Sequence, residues 1–291
     1  MNPHKPIRIV SLAPNVTSIL LELGAARELV GVSRWCKDVA PVGRRPTVGD
    51  CWKLDVREVM KLEPTIVIGS VPFAPETVAK LLAEPVVFLA INSRTLSGIE
   101  QDIRLIGSLA NRGSAAEKLV QRMRRGFAAV RKRAHAAEAA SRRKAGHLNS
   151  SRLKTGHLKA LRLKIYCEAW PNPRISSPPW VEELVTLAGG TLVVPSGQRV
   201  SDEHVAEADP DVIVLAWAAT GARANPGTAF RNHAWKDVSA VRHKRVVVIR
   251  DELLNTPGPP LVRGAQELQR VIEKFTRQLR KVQKISDSRL K

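Results

Sequence analysis

Short apolar runs, each followed by a stretch with helical spacing, recur in both halves of this chain with one long polar helix between them. That rhythm constrains the fold more than any other feature. In the first half, residues 7–12, 29–32, 65–68 and 86–91 read as strands. Helices are expected over 17–23 (stopped by Gly24), 55–62 (capped by Asp55), 75–82 and 97–109. In the second half, strands are expected at 164–169, 211–216 and 245–249. Helices are expected at 180–188 (ended by Gly189-Gly190), 201–207 (opened by Ser201), 230–240 and 261–282. Strands apolar throughout and separated by helices belong to parallel sheets covered on both faces. Residues 114–140 predict one long helix with a narrow apolar stripe of Leu119, Met123, Phe127 and Val130. The expected fold class is therefore α/β: two lobes with mostly parallel sheets joined by one long backbone helix. The boundaries are 1–111, a connector with a basic insertion at 112–163, 164–282, and a basic tail at 283–291.

The formal net charge of +20 suggests nucleic acid until it is mapped. Residues 112–164 hold 16 Lys/Arg against 2 acids, and residues 270–291 hold 8 against 2, so the remainder is neutral. A neutral body with two basic appendages differs from a domain with a basic reading face. The insertion also carries a near-repeat, Gly146-His147-Leu148 then Gly156-His157-Leu158, each continued to Arg-Leu-Lys. Two ten-residue copies are too few and too short for a solenoid, and a solvated insertion is expected.

Catalytic signatures are absent. No Gly-rich dinucleotide or P-loop fingerprint, nucleophile elbow or His-Glu-x-x-His pair occurs, and the seven histidines have no ligand partner at helical spacing. Neither an enzyme nor a resident cofactor or metal is expected. Cys36, Cys51 and Cys167 are too scattered for a disulfide framework. A Cys36–Cys51 bridge is one arrangement, and free, partly buried thiols the favoured one.

The aromatic residues are informative by position. There are six tryptophans against one tyrosine, and Trp35, Trp52, Trp170, Trp180 and Trp217 fall at or just beyond the carboxyl ends of expected strands. Ligands of parallel α/β sheets bind there, and indoles offer stacking area to a large planar or greasy molecule. Each could instead plug a loop, and Trp235 reads as core. Glu76 and Glu203 occupy equivalent helix-start positions in the two halves, where the helix dipole favours an acid and a shared role becomes worth proposing.

The segments Arg8–Thr17 (RIVSLAPNVT), Leu29-Val30-Gly31-Val32-Ser33, Val48-Gly49-Asp50 and Leu62-Glu63-Pro64-Thr65 follow in a characteristic order. Trp180-Val181-Glu182-Glu183-Leu184 and Ala208-Asp209-Pro210-Asp211 continue it. The series resembles the class III substrate-binding proteins of ABC importers for vitamin B12 and ferric siderophores. It spans about residues 7–270, and Leu253–Pro259 (LLNTPGP) is similar to the cobalamin-binding branch. The resemblance implies two Rossmann-like lobes bridged by a long helix, with the ligand in the cleft between them and the protein acting as a monomer. It implies a corrinoid or another chelated-metal ligand, met by the loops holding Trp35, Trp52, Phe73, Trp170 and Asn255. It also implies that Glu76 and Glu203 dock onto arginines of an importer permease. Departures are Thr17-Ser18 where the family has Thr-Glu, and Ser70 and Gly197 where one relative has stacking tryptophans. The family is extracytoplasmic, whereas residues 1–6 show no export-type leader, so a cytoplasmic relative is the alternative. A second class of function, non-specific binding of an anionic surface or nucleic acid through residues 112–164 and 270–291, rests on charge alone.

Overall fold

The strand β1 (Ile9–Ser11) is buried along its whole length and pairs in parallel with two neighbours, Ile9 facing Leu29 on one side and Ile66 on the other. A strand without a solvent face has no reason to alternate polar and apolar residues, which explains its sequence. The computed structural model describes residues 6–146 and 162–289. Most of the Gly-His-Leu near-repeat, with His147 and His157, lies outside the described residues, as do His4 and the final two residues of the tail.

In chain order the first part holds β1, α1 (Pro14–Glu22), β2 (Leu29–Ser33), β3 (Thr47–Val48), α2 (Val56–Met60), β4 (Ile66–Ser70), α3 (Pro75–Leu82), β5 (Val87–Ile91), α4 (Leu96–Leu109) and α5 (Gly113–Gly146). The second part holds β6 (Lys164–Pro171), β7 (Arg174–Ser176), α6 (Val181–Leu187), β8 (Thr191–Leu192), α7 (Asp202–Ala208) and β9 (Val212–Leu215). It continues through α8 (Gly227–Phe230), α9 (Ser239–Arg242), β10 (Val246–Val248), α10 (Glu252–Asn255) and α11 (Pro260–Arg289). Two compact units result: Met1–Met123 with Thr256–Pro260, and Arg124–Asn255 with Leu261–Lys291. Contacts therefore divide the chain inside α5.

The first unit carries a five-stranded, all-parallel sheet in the order β3-β2-β1-β4-β5. Its helix α1 starts with Pro14 at the first helical position, where the ring presets φ, and ends before Gly24, whose φ of +72° a side chain would resist. Asp55 caps α2 by accepting from the Arg57 N–H, and Thr95 caps α4 by accepting from the Gly98 N–H. One apolar cluster packs Val10, Leu12, Val48, Val56, Val59, Val67 and Leu81 together.

The second unit has the order β10-β9-β6-β7, with β8 also pairing β6; every pairing is parallel except β6–β7. Ser201 caps α7 as its sequence implies, accepting from the His204 N–H. The helix expected over 230–240 does not form. Short α8, a 3-10 turn (His233–Trp235) and α9 replace it. The Asn232 side chain accepts from the Ala234 N–H, and such local bonding competes with a helix. Trp235 is core, as expected, packing edge-on to Tyr166 at 6.1 Å between centroids. α5 and α11 lie side by side: a Cβ at Gly126 would collide with Val262, and Gln269 Nε2 donates to the Val130 carbonyl at 3.2 Å.

Candidate functional site

In a parallel sheet all carboxyl ends emerge on one edge, so the loops that follow gather there. In the first unit β2 runs directly into a 3-10 turn (Arg34–Asp38), and β3 into the turn holding Asp50 and Trp52. Asp50, itself buried, ties these loops together. Its Oδ2 accepts from Trp35 Nε1 at 3.0 Å and meets Arg34 at 2.9 Å, while Oδ1 accepts the Trp52 and Lys53 N–H groups at 3.1 Å each. Burial pushes the Asp50 carboxyl up, but these donors and the Arg34 charge outweigh it and hold the group below its ordinary value. The Arg34 guanidinium lies over the Trp35 ring at 4.6 Å. Trp35 is thus held by its N–H and from above, yet stays 38% exposed, and Trp52 is 63% exposed.

Phe73, in the loop after β4, is half-buried and edge-on to Phe88 at 5.3 Å, part of the apolar cluster more than of the surface. Glu76 projects from the first turn of α3 and is exposed. Beneath these loops lie Cys36 and Cys51, both free and buried. Cys36 Sγ bonds Thr17 Oγ1 at 3.0 Å, and burial beside Asp50 pushes the Cys51 thiol up to about 11. Asn15, at the start of α1, accepts from Ser70 Oγ at 2.9 Å, and its buried Nδ2 has no partner among the described residues.

The second unit is organised by an acid inside a buried strand. Glu168, 1% exposed, accepts from Trp217 Nε1 at 2.8 Å, from Tyr166 Oη at 2.9 Å, and from Arg174. Arg174 also donates through Nε to Asp202 at 2.8 Å and stacks over Trp235 at 4.3 Å. One relay of charge thus links the β6–β7 hairpin, the loop after β9 and the first turn of α7. Glu203 stands on that turn, exposed like Glu76.

The indoles of this unit divide. Trp170, at the end of β6, is 40% exposed with its N–H on the Asn172 carbonyl at 2.9 Å. Trp180 and Trp217 are only 9% and 8% exposed, their N–H groups bonded to the Leu254 carbonyl and to Glu168. Sequence position nominated both as ligand surfaces; here they close their own unit, because each indole N–H finds a buried acceptor. Asn255, at the end of α10, donates to the Ala216 carbonyl at 2.7 Å, and its Oδ1 is buried without a partner among the described residues. Exposed indole surface at the carboxyl edges therefore comes from Trp35, Trp52 and Trp170. Asp50, Glu168, Arg174 and Asn15 were not foreseen. The one available signal was an acid (Glu168) in an otherwise apolar strand. Among the described residues no group of three or more His, Cys, Asp or Glu side chains could hold a metal, and no helix is long and apolar enough to cross a membrane.

The fold is that of the class III periplasmic binding proteins. A periplasmic heme-binding protein from Pseudomonas aeruginosa superposes with a TM-score of 0.74 at 19% identity, covering 93% of this chain and 94% of that one. The resemblance set out from the sequence holds: residues 9–145 match the family described as Periplasmic binding protein. An uncharacterized ABC transporter substrate-binding lipoprotein of Bacillus subtilis is 24% identical over 277 residues, 91% of this chain and 79% of the relative. A cobalamin-binding protein of Halobacterium salinarum is 24% identical over 267 residues, 89% of this chain and 67% of the relative.

Proposed function

We propose that this chain is a non-enzymatic solute-binding protein that captures a corrinoid and delivers it to an ABC importer outside the cytoplasm. The observation that carries the reading is the set of three exposed indoles, Trp35 and Trp52 on the first unit and Trp170 on the second. Each stands at the carboxyl edge of its own sheet, and at least Trp35 and Trp170 are orientated by a hydrogen bond. A wide, rigid, largely apolar macrocycle with polar substituents matches such rings. Asn15 Nδ2 and Asn255 Oδ1, buried and without a partner among the described residues, add a donor and an acceptor near those edges. The cobalamin-binding relative supports the corrinoid, and the resemblance to heme-binding proteins makes haem the second reading, with ferric siderophores the third. Phe73 packs into the first unit's apolar cluster, which holds Cys51 next to Trp52 in sequence, while Trp180 and Trp217 bond through their indole N–H groups inside the second unit.

Glu76 and Glu203 are the proposed docking residues for the permease. Both are exposed and on a first helical turn, where a carboxylate is favoured and free to meet a guanidinium. The test is a titration of the purified protein with cyanocobalamin, haemin and a ferric siderophore, read by tryptophan quenching. Saturable quenching by cyanocobalamin at micromolar ligand or below supports the corrinoid. Saturation by haemin alone moves the assignment to haem, and no quenching by any of them at about millimolar ligand, some 4 kcal/mol of binding, refutes the reading. Glu76→Ala with Glu203→Ala should abolish uptake and leave that affinity intact.

A further inference from the structure

The basic appendages are not absorbed by ligand capture, and α5 and α11 give one of them a definite geometry. Beyond the first unit, α5 buries Phe127 and Val130 and turns Arg125, Arg131, Lys132 and Arg133 outward, all four exposed and without an ion-pair partner among the described residues. The helix running beside it, α11, exposes Arg263, Arg270, Lys274 and Arg277. The paired contacts Gly126 with Val262 and Val130 with Gln269 advance together along both helices, so the two run in the same direction. Both continue into sequence of the same sign: Arg142, Arg143 and Lys144 on one, Arg280, Lys281 and Lys284 on the other. Basic residues do complement a helix C-terminus, but that effect fades within the last turn. Arg125 and Arg131–Arg133 stand well before it.

We propose that this two-helix basic face adsorbs to an anionic phospholipid surface. The inference rests on the reading that the protein serves an importer, whose permease lies in such a surface. A nucleic acid is the less favoured partner. Binding single strands calls for aromatic rings among the cations, whereas Phe127 and Phe275 are both buried. Among the described residues of these helices no exposed aromatic or large aliphatic side chain offers an insertion anchor, so contact is made at headgroup level by guanidinium and ammonium groups on phosphate. Such adsorption is weak per cation, additive and screened by salt.

The full chain should be sedimented with vesicles of phosphatidylcholine alone and of phosphatidylcholine with phosphatidylglycerol. The variant Arg125→Glu/Arg131→Glu/Lys132→Glu/Arg133→Glu is run in parallel, and a single-stranded oligonucleotide serves as a competing ligand. The expected result is binding to the anionic vesicles only, weakened by added salt. At about fivefold per neutralised cation, the variant should bind at least a hundredfold more weakly. Anionic vesicles left unbound, equal binding to neutral vesicles, or equal binding by the variant would overturn the proposal, as would an oligonucleotide bound more tightly than the vesicles. Circular dichroism checks that the variant is folded. Its cyanocobalamin quenching curve separates the two ideas: loss of vesicle binding with quenching intact bears on this face, and loss of quenching in the parent chain bears on the ligand.

Discussion

Replacing Arg174 by Met probes the charge relay that organises the second unit. Among the described residues Arg174 is the only cation on Glu168, a carboxylate 1% exposed, and its guanidinium also covers Trp235 at 4.3 Å. Methionine keeps most of the volume and removes the charge, leaving Glu168 with two neutral donors, Tyr166 and Trp217. Breaking a buried pair from one side costs about 3–5 kcal/mol. The lost cation–ring contact adds roughly 0.5–1 kcal/mol. Against a usual stability of about 5–15 kcal/mol, such a loss should move the midpoint of urea unfolding far at unchanged slope. Near-ultraviolet circular dichroism reports on Trp235 and Trp217 directly. The double variant Glu168→Gln/Arg174→Met removes both charges while keeping an acceptor for the Trp217 N–H, and should recover a large part of the loss. A single-variant loss under about 1 kcal/mol, or a double variant whose losses simply add, would refute the idea that an unpaired buried charge sets the cost.

Three other outcomes follow from the packing and the ionisable groups. Gly126→Ala should gain helix propensity yet destabilise by about 1–2 kcal/mol net, because its Cβ meets the branched Val262; Val262→Ala in the same chain should restore stability in a thermal melt. The Asp50 carboxyl is depressed in the folded state. Its contribution is therefore complete above the unfolded value of about 3.9 and lost as pH falls through the lower folded one, and Asp50→Asn should flatten that acid limb of stability followed by tryptophan emission. Burial pushes Cys51 to about 11 and Cys167 to about 12, so near pH 8 both should resist a thiol reagent in the native protein and react only after denaturation.

Much of the architecture is legible in the residues because it is local. The helix Pro75–Leu82 has the expected limits, and Asp55 and Ser201 cap where they are expected to. What was not legible depends on partners distant in sequence. The strands β3, β7 and β8 are two or three residues long, too short for any periodicity, and exist because a neighbouring strand pairs with them. Around Trp235 the apolar spacing imitates a helix, and only the Asn232 side chain shows why the backbone breaks instead. At the site, position after a strand nominates five indoles but does not distinguish the exposed rings from the buried ones. That distinction rests on Trp217 finding Glu168, 49 residues away, and Trp180 finding Leu254, 74 residues away.

The measurement that bears most directly on capture by exposed indoles is calorimetric titration of Trp35→Ala/Trp52→Ala/Trp170→Ala with cyanocobalamin, beside the parent chain. Buried aromatic anchors are commonly worth about 2 kcal/mol or more each, so the account predicts affinity lowered at least a thousandfold with the fold intact. Unchanged affinity in the triple variant would contradict it.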